Sequence, residues 1–212
     1  MDIKEFIKSL DIKVFIEIGA HFGTDTLDFR KIHPSARIIA FEPDPRNIKI
    51  MKSLGIHTQC ELIEKAVGNL TGKIPFFLSS GNAKKKQVSQ ILKENDWSCS
   101  SSLKKPTGHL FTHPWILFNK QIKVDCIRLD DVSQIKDAII DFCWMDVQGA
   151  EELVFQGAIQ TLPHIRYLYT EYSNTELYEG QLNLQKLLAV LGNVWEVVHD
   201  FGGDVLLKNT RL

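Results

Sequence analysis

The chemistry this chain could do is concentrated at a few acids and glycines. Glu17 sits near the end of an apolar run, Val14-Phe15-Ile16-Glu17-Ile18, and Gly19 and Gly23 follow it four residues apart. Between them stand Ala20 and His21, and after them comes Thr24-Asp25-Thr26, residues that start helices well. Strand, glycine turn and helix together let a ligand lie against bare backbone at a helix N-terminus, where a Cβ would collide with it. The spacing is not that of a dinucleotide fingerprint, because the middle glycine of G-x-G-x-x-G is missing. A carboxylate two residues before the turn suits a ligand with a cationic amino group better than a pyrophosphate. S-adenosylmethionine is such a ligand. Glu42 closes the next apolar run nineteen residues past Gly23. An acid at that distance can accept both hydroxyls of an adenosine ribose.

Positioning these residues requires a parallel sheet. Runs 14–18, 37–41, 60–67, 138–147 and 165–172 are apolar and β-branched, and segments with helical spacing alternate with them. Residues 2–10, 24–32, 46–54, 150–162 and 182–191 read as helices, Asp44 and Pro45 opening the third of them. Segments 194–200 and 204–207, around Gly202-Gly203, read as a closing antiparallel hairpin. If strand order reverses at the first strand, that strand neighbours 138–147, and the crevice lies between Gly19 and Asp146.

The fold class expected is therefore α/β, Rossmann-like, with a mostly parallel sheet. Residues 1–212 read as a single domain, with an irregular lid or acceptor-binding insertion over 80–120. Between Ser80 and Lys123 lie eight lysines (84, 85, 86, 93, 104, 105, 120 and 123) against Glu94 and Asp96. That imbalance suggests an acceptor bearing phosphate or another anion, with Trp97 or Trp115 stacking on a sugar ring.

The chain as a whole has 25 Lys and Arg against 26 Asp and Glu, which disfavours an electrostatic nucleic-acid binder. No apolar run approaches the roughly 20 residues that span a bilayer. The first ten residues have no signal-peptide core, so the protein reads as cytoplasmic. Cys60, Cys99, Cys126 and Cys143 are widely spaced and read as reduced packing residues.

Several blocks, in order, resemble the FkbM family of S-adenosylmethionine-dependent methyltransferases. They are Phe15-Ile16-Glu17-Ile18-Gly19-Ala20, Phe41-Glu42-Pro43-Asp44-Pro45, Ala66-Val67-Gly68 with Gly72, Ser101-Ser102-Leu103, Arg128-Leu129-Asp130-Asp131, Met145-Asp146-Val147-Gln148-Gly149-Ala150-Glu151 and Gly157-Ala158. The resemblance runs over about residues 14–172. It implies the class I methyltransferase fold, a mostly parallel seven-stranded sheet, and O-methylation, often of sugar or polyketide hydroxyls. His21 departs from the family's frequent Asn, and Trp144 from its frequent Lys.

Carried over, the resemblance implies that Glu17 faces the methionine amino end and that Gly19, Ala20, His21 and Gly23 form the cofactor turn. Glu42 and Pro43 would bind the ribose, and Lys65 and Ala66 would lie near the adenine. A hydroxyl acceptor must lose a proton during transfer. Asp146, beside the sulfonium, is the first candidate base, with Glu171 at the end of the neighbouring strand and His113 in the insertion as others. His109 is a further loop histidine of that kind. Some sugar methyltransferases require a divalent cation, which Asp146 and Glu171 could together hold, although two carboxylates are a weak metal signal. The competing readings are an RNA methyltransferase, a nicotinamide oxidoreductase and a cofactor-binding protein without catalysis.

Overall fold

The computed structural model describes residues 1–81, 96–136 and 138–212. Four of the eight lysines (Lys84, Lys85, Lys86 and Lys93) and Glu94 lie outside the described residues. A short helix α1 (Ile3–Lys8), capped by the Asp2 side chain, leads into β1 (Val14–Ile18). Then come α2 (Thr24–Ile32), β2 (Arg37–Phe41), α3 (Pro45–Ser53) and β3 (Glu61–Ile63). The strand expected over 60–67 is broken at Glu64-Lys65, and its last residues form a separate β4 (Ala66–Val67). A long hairpin follows, β5 (Gly72–Gly81) and β6 (Ile116–Ile127), with α4 (His109–Thr112) between its strands. The chain ends with β7 (Ile140–Met145), α5 (Glu151–Gln156), β8 (Ile165–Glu171), α6 (Leu184–Leu191), β9 (Trp195–Asp200) and β10 (Asp204–Asn209).

Seven strands form the main sheet in the order β3-β2-β1-β7-β8-β10-β9. The first five are parallel, and β10 runs antiparallel to both β8 and β9. Strand order reverses at β1, so β1 and β7 are neighbours, with Ile18 opposite both Phe41 and Met145. In the closing hairpin the second strand is the one inserted against β8, which leaves β9 at the edge.

Alternation along β1 explains its burial on both faces. Ile16 and Ile18 enter one core with Ile39, Phe41, Leu168 and Val205. Phe15 enters the opposite one with Phe29, Ile38, Phe142 and Leu206, where its ring stacks on Phe142. Strands β4, β6 and β5 make a second, three-stranded sheet with its own apolar cluster of Ala66, Phe76, Leu78, Val124 and Cys126.

The segment expected to be irregular over 80–120 therefore starts and ends inside paired strands. Within it, Ser102 exchanges two backbone bonds with Phe77, and Ser98 to Ser101 is fastened largely by side chains. The Ser79 hydroxyl donates to the Trp97 carbonyl at 3.0 Å and accepts from the Ser100 amide at 3.1 Å. The Ser101 hydroxyl accepts from the Ser79 amide at 3.0 Å. Such local serine bonding has no period, which is why hydrophobic patterning did not reveal it. All four cysteines are free thiols. Among the described residues, no helix is long and apolar enough to cross a membrane.

Candidate active site

The site lies beyond the carboxyl ends of β1, β2 and β7, where strand order reverses. The turn after β1 is tight. The amides of Gly19 and Ala20 both donate to the Phe41 carbonyl, at 3.0 and 2.9 Å. Gly19 has φ 92, and a Cβ there would overlap the carbonyl oxygen of Asp146 on the neighbouring strand. Glycine is thus required where β1 and β7 approach each other. His21 also takes a left-handed φ of 52, unusual for a residue with a side chain.

That strained position aims the His21 amide at Glu42, donating to Oε2 at 2.7 Å. Glu42 Oε1 accepts from the Asp44 amide at 2.8 Å and from Asn47 Nδ2 at 3.2 Å. The carboxyl is buried, and desolvation pushes it up to about 8, against the opposing effect of those donors. The His21 ring, pushed down to about 4 by burial, stacks on Phe22 and meets the Ser98 hydroxyl at 2.9 Å. Ser98 in turn donates to Asn47 Oδ1 at 2.7 Å. The serine run is thereby tied as a roof over the Glu42 cradle.

Under that roof is a cavity of about 200 Å³. Gly19, Ala20, His21, Glu42, Pro43, Lys65, Ala66 and Asp146 all line it, as do Val67, Phe76 and Leu103 on an apolar wall. Lys65 is the only lysine among the described residues that does so. Two residues expected at the cofactor do not line it. Glu17 shares a face of β1 with Phe15 and lies beneath the turn, 2% exposed, accepting the Thr26 hydroxyl from α2. Burial pushes Glu17 up to about 8. Gly23, φ 76, packs on Ile56 and Met51 instead.

Asp146 follows β7 and lines the cavity. Enclosure by the surrounding protein raises its carboxyl above the ordinary range, with Asp204 and Asp25 adding like charge. Glu171 ends β8 and is pushed up to about 9 by burial and by Asp146, Glu151 and Asp204. Gln148 joins the two, its Nε2 lying 2.7 Å from Asp146 Oδ1 and 3.0 Å from Glu171 Oε2. Tyr178, fully buried, donates its hydroxyl to the Ser100 carbonyl at 2.8 Å and reaches Gln148 Oε1 at 3.2 Å.

His113 lies elsewhere, past the end of α4, with its Nδ1 3.0 Å from the Thr112 hydroxyl. His109 is buried against Phe118 and Tyr178, and its Nδ1 finds no hydrogen-bond partner among the described residues. No group of three or more His, Cys, Asp or Glu among the described residues could hold a metal ion. Sequence reasoning had no role for Gln148, Tyr178, Asn47 or Ser98. Gln148 lies inside a quoted motif and Asn47 on the expected third helix, whereas Tyr178 and Ser98 stand in segments without period.

The donor set suits an adenosyl ligand with a sulfonium. Glu42 offers buried acceptor oxygens beside an apolar wall, and the acids at the Asp146 end favour positive charge. Comparisons with known proteins agree with this chemistry. The methyltransferase FkbM domain matches residues 17–203. A 2-O-methyltransferase, NoeI, of Sinorhizobium fredii is 39% identical over 205 residues, covering 94% of this chain and 80% of that protein. The crystal structure of methyltransferase FkbM from Methylobacillus flagellatus superposes with a TM-score of 0.55 at 14% identity, which speaks for the fold alone. That alignment covers 93% of this chain, which spans only 43% of the larger protein. With the domain matched over most of its length, the chain belongs to the FkbM family of methyltransferases.

Proposed function

We propose that the protein transfers a methyl group from S-adenosylmethionine to a hydroxyl of a small, hydroxyl-rich acceptor such as a carbohydrate. The observation that carries this reading is the position of Asp146. It lines the same cavity as Glu42, the two acids following β7 and β2 on either side of β1. When bound there, S-adenosylmethionine supplies a methyl on a positive sulfur, and the bonding pair stays with sulfur on transfer.

The chain's own residues then have three tasks. Glu42, held by the His21 and Asp44 amides and by Asn47, would accept the ribose hydroxyls. Val67, Phe76 and Leu103 would cover the base, near Lys65 and Ala66. Asp146 would receive the acceptor's proton as the oxygen attacks in line. Orientation of that kind is worth roughly 7–11 kcal/mol of the barrier, and proton removal about 10²–10⁴-fold. Glu17 acts at one remove, fixing the start of α2 through Thr26.

The acceptor side is acidic, with Asp25 and Asp146 on the cavity wall and Glu171 and Asp204 behind them. Trp144, also on the wall, stacks on Tyr169 at 4.1 Å. Carboxylates beside an aromatic plane suit sugar hydroxyls and a sugar ring face. They do not suit an anion. The described lysines of the insertion offer little to one either: Lys104 approaches Glu152 at 4.0 Å, Lys120 and Lys123 lie along β6, and neither these nor Lys105 line the cavity. An anionic acceptor would have to draw on lysines outside the described residues. The relative's description as a 2-O-methyltransferase supports an oxygen acceptor.

The test is mass spectrometry of products from a panel of glycosides and nucleotide sugars, with wild type and Asp146→Asn. A +methyl product from wild type, and turnover lowered at least about 100-fold in Asp146→Asn with donor binding retained, is expected. Unaltered turnover removes Asp146 from the mechanism.

A further inference from the structure

Gln148 has no assigned role in the reading above, yet it is the most constrained side chain of the site. Its backbone is left-handed, φ 53, in a residue that carries a side chain. The conformation is held from three sides. The Ser102 hydroxyl donates to the Gln148 carbonyl at 2.7 Å. Gly149, φ 85, lies so close to the Tyr178 ring that a Cβ there would come within 2.8 Å of it. The Tyr178 hydroxyl reaches Oε1. Backbone strain of this kind costs about 1–3 kcal/mol and persists where the surroundings enforce it, typically at functional sites.

What the constraint achieves is a fixed direction for one amide group. Two carboxylate oxygens lie on one side of the amide, so that side must be the donor Nε2, and Oε1 takes the side of the Tyr178 hydroxyl. A carboxamide nitrogen has two protons, and here each has a carboxylate oxygen in reach: Asp146 Oδ1 at 2.7 Å and Glu171 Oε2 at 3.0 Å. Asp146 itself lines the cavity. We propose that Gln148 is a positioning residue for methyl transfer, clamping Asp146 and Glu171 as one acid pair so that Asp146 Oδ2 is presented to the acceptor hydroxyl. This rests on the methyltransferase mechanism proposed above.

In the step that follows, the acceptor O–H bond breaks and its proton goes to Asp146 Oδ2. The oxygen's electron pair forms the new bond to the methyl carbon, and the C–S pair leaves with sulfur. Atoms and charge balance with no further reactant. The clamp bears directly on that proton. Two carboxylate oxygens meeting at one nitrogen cannot both ionise freely, so the pair titrates in two separated steps. The groups facing it are Glu151 from the start of α5, Asp204 from β10, Asp25 from α2 and the neutral Tyr178 hydroxyl, and the three acids oppose its ionisation. Lys104 is the cation close to Glu151. Against those acids the two side-chain N–H groups of Gln148, with its backbone N–H toward Asp146, favour the ionised form.

The experiment is a carboxyl ¹³C NMR titration of the full chain with S-adenosylhomocysteine as the probe ligand. The Asp146 and Glu171 signals are identified through Asp146→Asn and Glu171→Gln. Wild type is expected to show two separated steps shared by both signals. Gln148→Met, which keeps the volume and removes both donors, is expected to raise the lower step by about one pH unit or more. Gln148→Glu, the same shape with an added charge, should raise it further and serves if the methionine variant does not fold. Independent titration of the two acids in wild type overturns the proposal, as does a lower step that stays in place in either variant. Calorimetry with S-adenosylhomocysteine separates the two readings. No binding by wild type defeats the methyltransferase mechanism, whereas binding with an unmoved titration defeats the clamp alone.

Discussion

At the scale of single residues, the site is a set of carboxyl groups held where water would not hold them. Glu42 is the clearest case, since it is buried, makes no ion pair among the described residues and is pushed up to about 8. Its sign in stability follows from linkage. The folded protein keeps the Glu42 proton to higher pH than the unfolded chain does, so between about pH 4.5 and 8 the native state binds more protons. Stability of the ligand-free protein from this group is full below about pH 4.5 and declines as pH rises toward 8. Glu42→Gln removes that ionisation while keeping the shape. It should raise the melting temperature at pH 8 more than at pH 5, and weaken donor binding about 10-fold or more through the lost charge-assisted bonds to ribose. Thermal melts at the two pH values with calorimetry check both; unchanged affinity for S-adenosylmethionine would remove Glu42 from the donor site.

At the scale of elements, the site depends on how closely β1 and β7 can approach. Gly19 sits against the Asp146 carbonyl, and the Asp146 amide returns a bond to the Ile18 carbonyl at 2.9 Å. Gly19→Ala forces a Cβ into that oxygen and a side chain into φ 92. A loss of about 3 kcal/mol is expected, or roughly 6–12 °C in melting temperature for a domain of this size, and a melt within 1–2 °C of wild type would contradict it. This juncture was legible in the sequence. The run into Gly19, the acid at residue 42 and the strand ending at Asp146 have strong two-residue or continuous apolar patterns, and topology then fixes their meeting. Other parts were not legible. The roof of Ser98 to Ser101 is held largely by hydroxyls bonding to backbone and to Asn47, which leaves no periodic trace. Tyr178 reaches Gln148 from thirty residues downstream, a contact that no local pattern encodes. The face on which Glu17 falls was implicit in the alternation from Phe15, yet a ligand role drew attention to the turn instead.

At the scale of the whole molecule, two sheets share the work. The seven-stranded sheet carries the acids, while the β4-β6-β5 sheet supplies Ala66, Val67 and Phe76 to the opposite wall. The donor would thus bridge two units with separate apolar clusters. Bound ligand should tie them thermodynamically. At a hundred times its dissociation constant, S-adenosylmethionine should add about 2.7 kcal/mol, a rise of roughly 5–10 °C in melting temperature, with no such rise from NAD. Net charge near zero and an acidic acceptor side fit a neutral small acceptor, in keeping with the membership of a methyltransferase family.

The most direct test is a crystal structure of the protein with S-adenosylhomocysteine. The account predicts both ribose hydroxyls on Glu42, the base against Val67 and Phe76, and the sulfur turned toward Asp146. An adenosyl group lying elsewhere, or a ribose that does not touch Glu42, would contradict it.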